Sequence, residues 1–363
     1  MLSRVAVGFW PVDRPATCHE LVEWPLDYAR GKVPSPARKM GKIQSTKTCE
    51  FVSPKHPDKF CDFIADSILD GFLTGDPKSR VAVELLGGHG RVFVSGEVTS
   101  AANVDVETLV KKIVGEDYQV VVNISKQSPE ISRGVDTGGA GDQGIMMGYA
   151  TNETETFMPL EYETARKLCQ NIYKEYPYDG KTQVTIESDK SNHSDGSNIK
   201  AVVASFQNTK TKELEELVRS LIKSDSYLIN PAGEWNLGGF DADSGLSGRK
   251  IVIDNYGPEI GVGGGSFSGK DPTKVDRSAA YMGRRIAVDL LQKHHAKQVR
   301  TKLAYAIGVK DPVMAVAEID GKVTPIEGYD VTPQGIIKLL KLNRPIYAET
   351  ARWGHFGRNF TWG

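Results

Sequence analysis

The sequence predicts a mixed protein of helices and strands laid out in three blocks. Three observations carry this reading. An apolar stripe of helical period opens the ordered part of the chain. Paired runs of β-branched residues follow around a glycine turn. The same alternation of strand and helix then returns twice more. At 363 residues the chain is long enough for two or three domains with hydrophobic cores of their own. No repeat shows in residue identity, so the three blocks rest on element order alone.

The elements follow in order. Residues 1–45 stand apart, with Trp10, Trp24, the prolines 11, 15, 25, 34 and 36, and no sustained periodicity. They lack the apolar stretch of a signal peptide, and Asp13, Glu20, Glu23 and Asp27 argue against a transit peptide. They are expected to lie outside the fold, with Met40 as an alternative start. Residues 56–73 predict a helix, because Phe60, Ile64, Ile68 and Phe72 recur every four residues. Residues 80–100 predict a hairpin around Gly87-Gly88-His89-Gly90. A helix at 104–116 and a strand at 118–125 complete the first block.

Residues 128–150 are long, polar and glycine-rich, and predict a binding loop or lid. A helix at 161–175, strands at 182–187 and 198–206 and a helix at 211–223 form the second block. The third has a strand at 249–255, a glycine-rich loop, a helix at 274–294, strands near 301–307 and 313–319, and a helix at 333–340.

Bulk properties narrow the function. Lys and Arg number 45 against 46 Asp and Glu, which gives no electrostatic case for a nucleic-acid partner. No apolar run approaches the ~20 residues that span a bilayer. Cys18, Cys49, Cys61 and Cys169 show neither C-x-x-C spacing nor a paired framework, so zinc and structural disulfides are not expected and a reducing compartment fits.

The segment 263–281, GGGSFSGKDPTKVDRSAAY, carries the strongest chemical signal. Its glycines leave backbone N–H groups open to an anion, and Lys270, Lys274 and Arg277 alternate with Asp271 and Asp276. From Gly264 to Lys270 it reads as a Walker A motif, but Asp271 stands where Ser or Thr would bind magnesium. Asp271 and Pro272 instead suit a helix cap and first helical position, after the lysine. The bland alternative is a glycine loop with solvated charges.

Other residues point the same way. His56, Asp58 and Lys59 gather at a helix N-terminus, where anions are favoured. Glu84 and Glu97 interrupt apolar strands. Each either faces solvent or pairs with an arginine, a cation or a substrate ammonium. Asp142, Asp243, Arg249 and Lys250 lie in or beside glycine-rich stretches. No Ser–His–Asp or Cys–His arrangement asks for a covalent nucleophile.

Several long motifs now stand in order: HPDK at 56–59, KQSPEI at 126–131, GAGDQGIMMGYATNETE at 139–155, SGLSGRKIVIDNYG at 244–257, GGGSFSGKDPTKVDRSAAY at 263–281 and GHFGR at 354–358. From about residue 46 onward the chain closely resembles the S-adenosylmethionine synthetases.

That resemblance implies three similar α+β domains about a pseudo-threefold axis, here over 46–130, 137–236 and 238–363. It implies a cytoplasmic homodimer or homotetramer whose active sites lie between subunits. The substrates would be ATP and L-methionine. The methionine sulfur would attack C5′ of ATP, and the displaced tripolyphosphate would be hydrolysed to phosphate and diphosphate. Two Mg²⁺ ions would sit on Asp58 and Asp276, and K⁺ on Glu84. His56, Lys270 and Arg249 would carry the catalysis. His56, Asp179, Lys181, Trp235, Asp243, Arg249, Lys250, Ser266 and Lys270 would bind ATP. Glu97, Gln127, Asp243 and Lys274 would bind methionine. The alternative is a catalytically weak paralogue that binds nucleotide as a regulatory subunit.

The chain departs from the family's pattern in places. Ser53-Pro54-Lys55 replaces Ser-Glu-Gly before HPDK, with Lys55 adding a positive charge. Glu234 stands where many members have arginine, and Val262 where many have histidine. The loop from Gln127 to Gly139 is shorter than in common bacterial members.

Overall fold

A computed structural model describes residues 45–126, 138–188 and 199–363. Expectations for residues 1–44, Gln127 and most of the loop that follows it lie outside the described residues.

The first block comprises β1 (Ser45–Val52), α1 (Pro57–Gly75), β2 (Arg80–Gly88), β3 (Arg91–Thr99), α2 (Val106–Val114) and β4 (Gln119–Ser125). The second holds β5 (Gly144–Thr151), α3 (Leu160–Glu175), β6 (Gly180–Ser188), β7 (Ile199–Phe206), α4 (Thr211–Leu221) and β8 (Tyr227–Ile229). The third holds β9 (Gly245–Leu246), α5 (Ile251–Asp254), α6 (Val275–His294), β10 (Gln298–Tyr305), β11 (Met314–Ile319), β12 (Lys322–Pro325), α7 (Pro333–Leu340) and α8 (Tyr347–Thr350).

Three four-stranded sheets form, ordered β4-β3-β2-β9, β1-β6-β7-β8 and β12-β11-β10-β5. The topology repeats where residue identity does not. Each block gives its first strand to the next sheet: β1 pairs with β6, β5 with β10, and β9 with β2. Each sheet is packed by one long helix, α1, α3 or α6. On α1 the expected stripe is largely right, because Ile64, Ile68 and Phe72 are buried.

Three expectations are corrected. Residues 251–254 form a helical turn, not a strand. Their β-branched composition is overridden by Asp254, which is buried to receive both hydrogen bonds of Lys59 Nζ at 2.6 and 2.7 Å. Residues 144–151 form strand β5, not loop. Their glycines serve packing: a Cβ on Gly148 would stand 2.1 Å from the Gly283 backbone of α6. Finally, Asp271 does not cap α6, whose N-cap is Lys274. Asp271 is buried, with Oδ2 accepting the Val81 N–H at 2.8 Å and Oδ1 the Thr273 N–H at 2.9 Å.

Candidate active site

The N-terminus of α1 is built from both sides. His56 is its N-cap and Pro57 takes the first helical position, where a missing N–H costs nothing. Ser53 ties the approach to the second block, donating its N–H to Gly180 O at 2.8 Å and its hydroxyl to Tyr178 O at 2.8 Å. The Asp58 N–H donates to His56 Nδ1 at 3.2 Å. An Nδ1 that accepts leaves the neutral ring's proton on Nε2. Burial, then Lys250 and Lys181, push the imidazole down to about 3, so the ring is neutral at ordinary pH. The Lys55 ammonium lies 4.9 Å over the Phe60 ring.

Asp58 is buried under cations. Oδ1 accepts the Leu246 N–H at 2.9 Å and faces Arg249 Nε at 3.3 Å, while Oδ2 accepts from Lys250 Nζ at 2.6 Å. Burial alone would raise this carboxyl, but Lys250 and the Leu246 N–H outweigh it and hold it below its usual value. Lys181, on strand β6, and Asp243, just before β9, act electrostatically on His56. Asp179 accepts the Gly239 N–H at 3.0 Å, and burial raises its carboxyl. Trp235 Nε1 and Ser266 Oγ are buried with no hydrogen-bond partner among the described residues. Ser266 borders this first set, since a Cβ on Gly248 would lie 2.7 Å from its hydroxyl.

The second set surrounds the start of α6. Lys270 Nζ donates to Asp276 at 2.8 Å, and Lys274 donates to Asp271. The 269–271 stretch is docked on the edge of β2. Val83 N–H donates to Gly269 O at 3.1 Å, and Asp271 N–H donates to Val81 O at 3.0 Å. The Gly269 N–H is also spent, on Asp66 at 2.9 Å. The amides of Gly269 and Asp271 are therefore not open to an anion.

Glu84 and Glu97 lie on the outer face of the β4-β3-β2-β9 sheet. Glu84 pairs across from Ser95, and Glu97 from Ala82. Glu84 accepts the Ser247 hydroxyl at 2.6 Å. The same face exposes an apolar row, with Leu246 paired to Leu86, Leu86 to Phe93 and Phe93 to Val121. Among the described residues, no hydrogen bond or ion pair joins the His56–Asp58 set to the Lys270–Asp276 set.

One feature escaped the sequence reading. Asp58, Asp62, Asp66 and Asp70 form a ladder along α1, and each receives backbone N–H groups from the third block. The donors are Leu246 to Asp58, Gly248 to Asp62, Gly269 to Asp66, and both Tyr347 and Ala348 to Asp70. The ladder fixes the register between His56 and both glycine-rich loops. Its signal was present as acids every four residues, opposite the apolar stripe.

Among the described residues, no group of three or more His, Cys, Asp or Glu side chains makes a ready cage for a metal. Asp58 and Asp276 are single carboxylates, each bonded to a lysine. That donor set suits magnesium that brings phosphate and water as its other ligands.

The family models of S-adenosylmethionine synthetase match the chain in order. The N-terminal domain covers residues 44–129, the central domain 137–235 and the C-terminal domain 237–363. The chain belongs to the S-adenosylmethionine synthetase family. Among its relatives is an S-adenosylmethionine synthase of Petrotoga mobilis, 40% identical over 382 residues, covering 87% of this chain and 95% of the relative. S-adenosylmethionine synthase 1 of Frankia casuarinae is 42% identical over 380 residues, with the same coverage of each. The Sorangium cellulosum S-adenosylmethionine synthase is 41% identical over 367 residues, covering 87% of this chain and 86% of the relative. These alignments are longer than the 363-residue chain itself, so the synthetase relatives carry segments with no counterpart here.

Proposed function

We propose that this chain synthesises S-adenosylmethionine from L-methionine and ATP, the sulfur attacking C5′ and displacing the whole triphosphate. The match of all three synthetase domains, with relatives named for this activity across most of the chain, carries the reading. A thioether has no proton to lose, so the step needs alignment and stabilisation of the leaving group, not a base.

The site chemistry suits that demand. The neutral His56, with its proton on Nε2, donates a hydrogen bond to the oxygen leaving C5′. Arg249, Lys250, Lys181 and Lys270 neutralise the phosphates. Trp235 and Ser266 offer unpartnered polar groups to the nucleotide, with Asp179 and Asp243 beside them. Glu97, Lys274, Asp243 and Gln127 hold the methionine. Magnesium held by Asp58 and Asp276 would supply charge neutralisation on the triphosphate, and potassium by Glu84 would support it. Hydrolysis of the tripolyphosphate to phosphate and diphosphate completes the reaction.

Two observations favour a site shared by two subunits of a homodimer or homotetramer. The His56 and Lys270 sets are not bonded to each other within the described chain, and the sheet face bearing Glu84 and Glu97 exposes an apolar row. No helix among the described residues is long and apolar enough to cross a membrane, and Cys49, Cys61 and Cys169 are free thiols. A reducing cytoplasm suits them.

The test is an assay with ATP, magnesium, potassium and with or without methionine. S-adenosylmethionine, phosphate and diphosphate are expected only when methionine is present. ATP turnover to ADP, indifferent to methionine, would overturn the proposal. In His56→Ala, transfer is expected to fall by roughly 10²–10³ with much less change in ATP affinity.

A further inference from the structure

A cavity of about 700 Å³ lies beside the site just described, sharing Asp271 with it, between the α1–β2 turn, the 271–273 loop and one face of α7. Among the described residues its wall carries Lys78, Lys338, Lys341 and Arg344 against a single acid, Asp271. The whole chain is balanced at 45 basic to 46 acidic residues, so this wall is a local excess of positive charge. Asp271 does little to neutralise it, because its carboxylate is already taken up by the Val81 and Thr273 N–H groups and by Lys274.

The remaining wall supplies donors. Thr273 Oγ1 is buried with no hydrogen-bond partner among the described residues. Arg344 is fixed in place by its Nε, which donates to Lys341 O at 2.9 Å. Pro333 and Gln334, at the positive N-terminal end of the eight-residue helix α7, also line the cavity. The volume is that of a small-molecule site. Cations from separate stretches of chain around such a volume ask for a ligand with several negative charges spaced along it.

We propose that this cavity binds a polyphosphate, a chain of two or more linked phosphates. The assignment is independent of the function proposed above. Tripolyphosphate would be titrated calorimetrically into the wild-type chain and into Lys338→Glu/Lys341→Glu, whose two lysines are exposed. Arg344→Gln provides a milder second variant. The wild type is expected to bind two equivalents per chain, one here and one at the His56 site. The double variant should lose one of them, with affinity down at least about tenfold, and Arg344→Gln should weaken the same one. S-adenosylmethionine synthesis at low product should be unchanged in both.

Two equivalents retained by both variants, or a single equivalent that neither variant alters, would overturn the proposal. A single equivalent that the double variant abolishes would support it and count against the function proposed above. ADP and inorganic diphosphate, titrated in parallel, distinguish a nucleotide from a free phosphate chain as the occupant.

Discussion

His56 shows how much one backbone hydrogen bond can decide. The Asp58 N–H selects the tautomer, and burial keeps the ring uncharged. The transfer rate is therefore expected to show no imidazole ionisation between about pH 5.5 and 8. A limb near pH 6.5 that disappears in His56→Ala would contradict this. Stability carries the opposite mark. The folded ring titrates at about 3, so the unfolded chain takes up a proton first as pH falls. Stability from this group is full above pH 6.5 and is lost progressively toward pH 3, by roughly 2 kcal/mol at pH 5. Urea unfolding of His56→Ala should show a flatter acid limb than the wild type. Glu234 has a local explanation as well. It accepts the Thr211 N–H at 2.9 Å and pairs with Lys210 at 2.9 Å, so it closes the start of α4 instead of reaching a phosphate.

The helices are locked to their neighbours by buried polar groups as much as by apolar ones. Arg277 of α6 is fully buried, with both its terminal nitrogens on Asp66 of α1 at 2.6 and 2.7 Å. Lys270 O, Tyr281 Oη and Thr350 Oγ1 satisfy the rest of the guanidinium. Removing one partner leaves an unpaired buried charge, so Asp66→Ala should cost about 3–5 kcal/mol by denaturant unfolding. Gly148→Ala is expected to lower the melting temperature too, because its methyl would meet the Gly283 backbone, which cannot swing aside.

These same features mark the limit of what the sequence revealed. Helices α1, α3, α6 and α7 were legible nearly to the residue, α1 through its four-residue apolar period, and the glycine turn gave the β2–β3 hairpin. The turn at 251–254 and strand β5 were misread because distant partners decide them: Lys59 for the one, α6 and β10 for the other. β1 and β9 gave no signal, since each pairs with a strand far away in sequence. The site's residue types were legible through their motifs. The docking of 269–271 on β2 was not, because it depends on a strand edge that only folding creates.

The outer face of the first sheet is the surface proposed above for a second copy. Phe93 lies in the exposed apolar row, between Leu86 and Val121. Phe93→Glu would place a charge in that row without disturbing the buried side of the sheet. Sedimentation or light scattering should show it shifted toward monomer, with loss of S-adenosylmethionine synthesis in parallel. Full activity in a monomeric variant would break the link between assembly and catalysis.

The passing of first strands from block to block constrains how the protein can be made. The free edge of β2 is covered by residues 245–247 and 269–271, all from the third block. A nascent chain that has not yet emerged that far carries an open strand edge, a template for pairing with the wrong chain. A fragment ending at residue 236 should therefore aggregate instead of folding as two independent domains. The family's three domains are divisions of sequence, whereas the exchanged strands tie all three blocks into one expected folding unit.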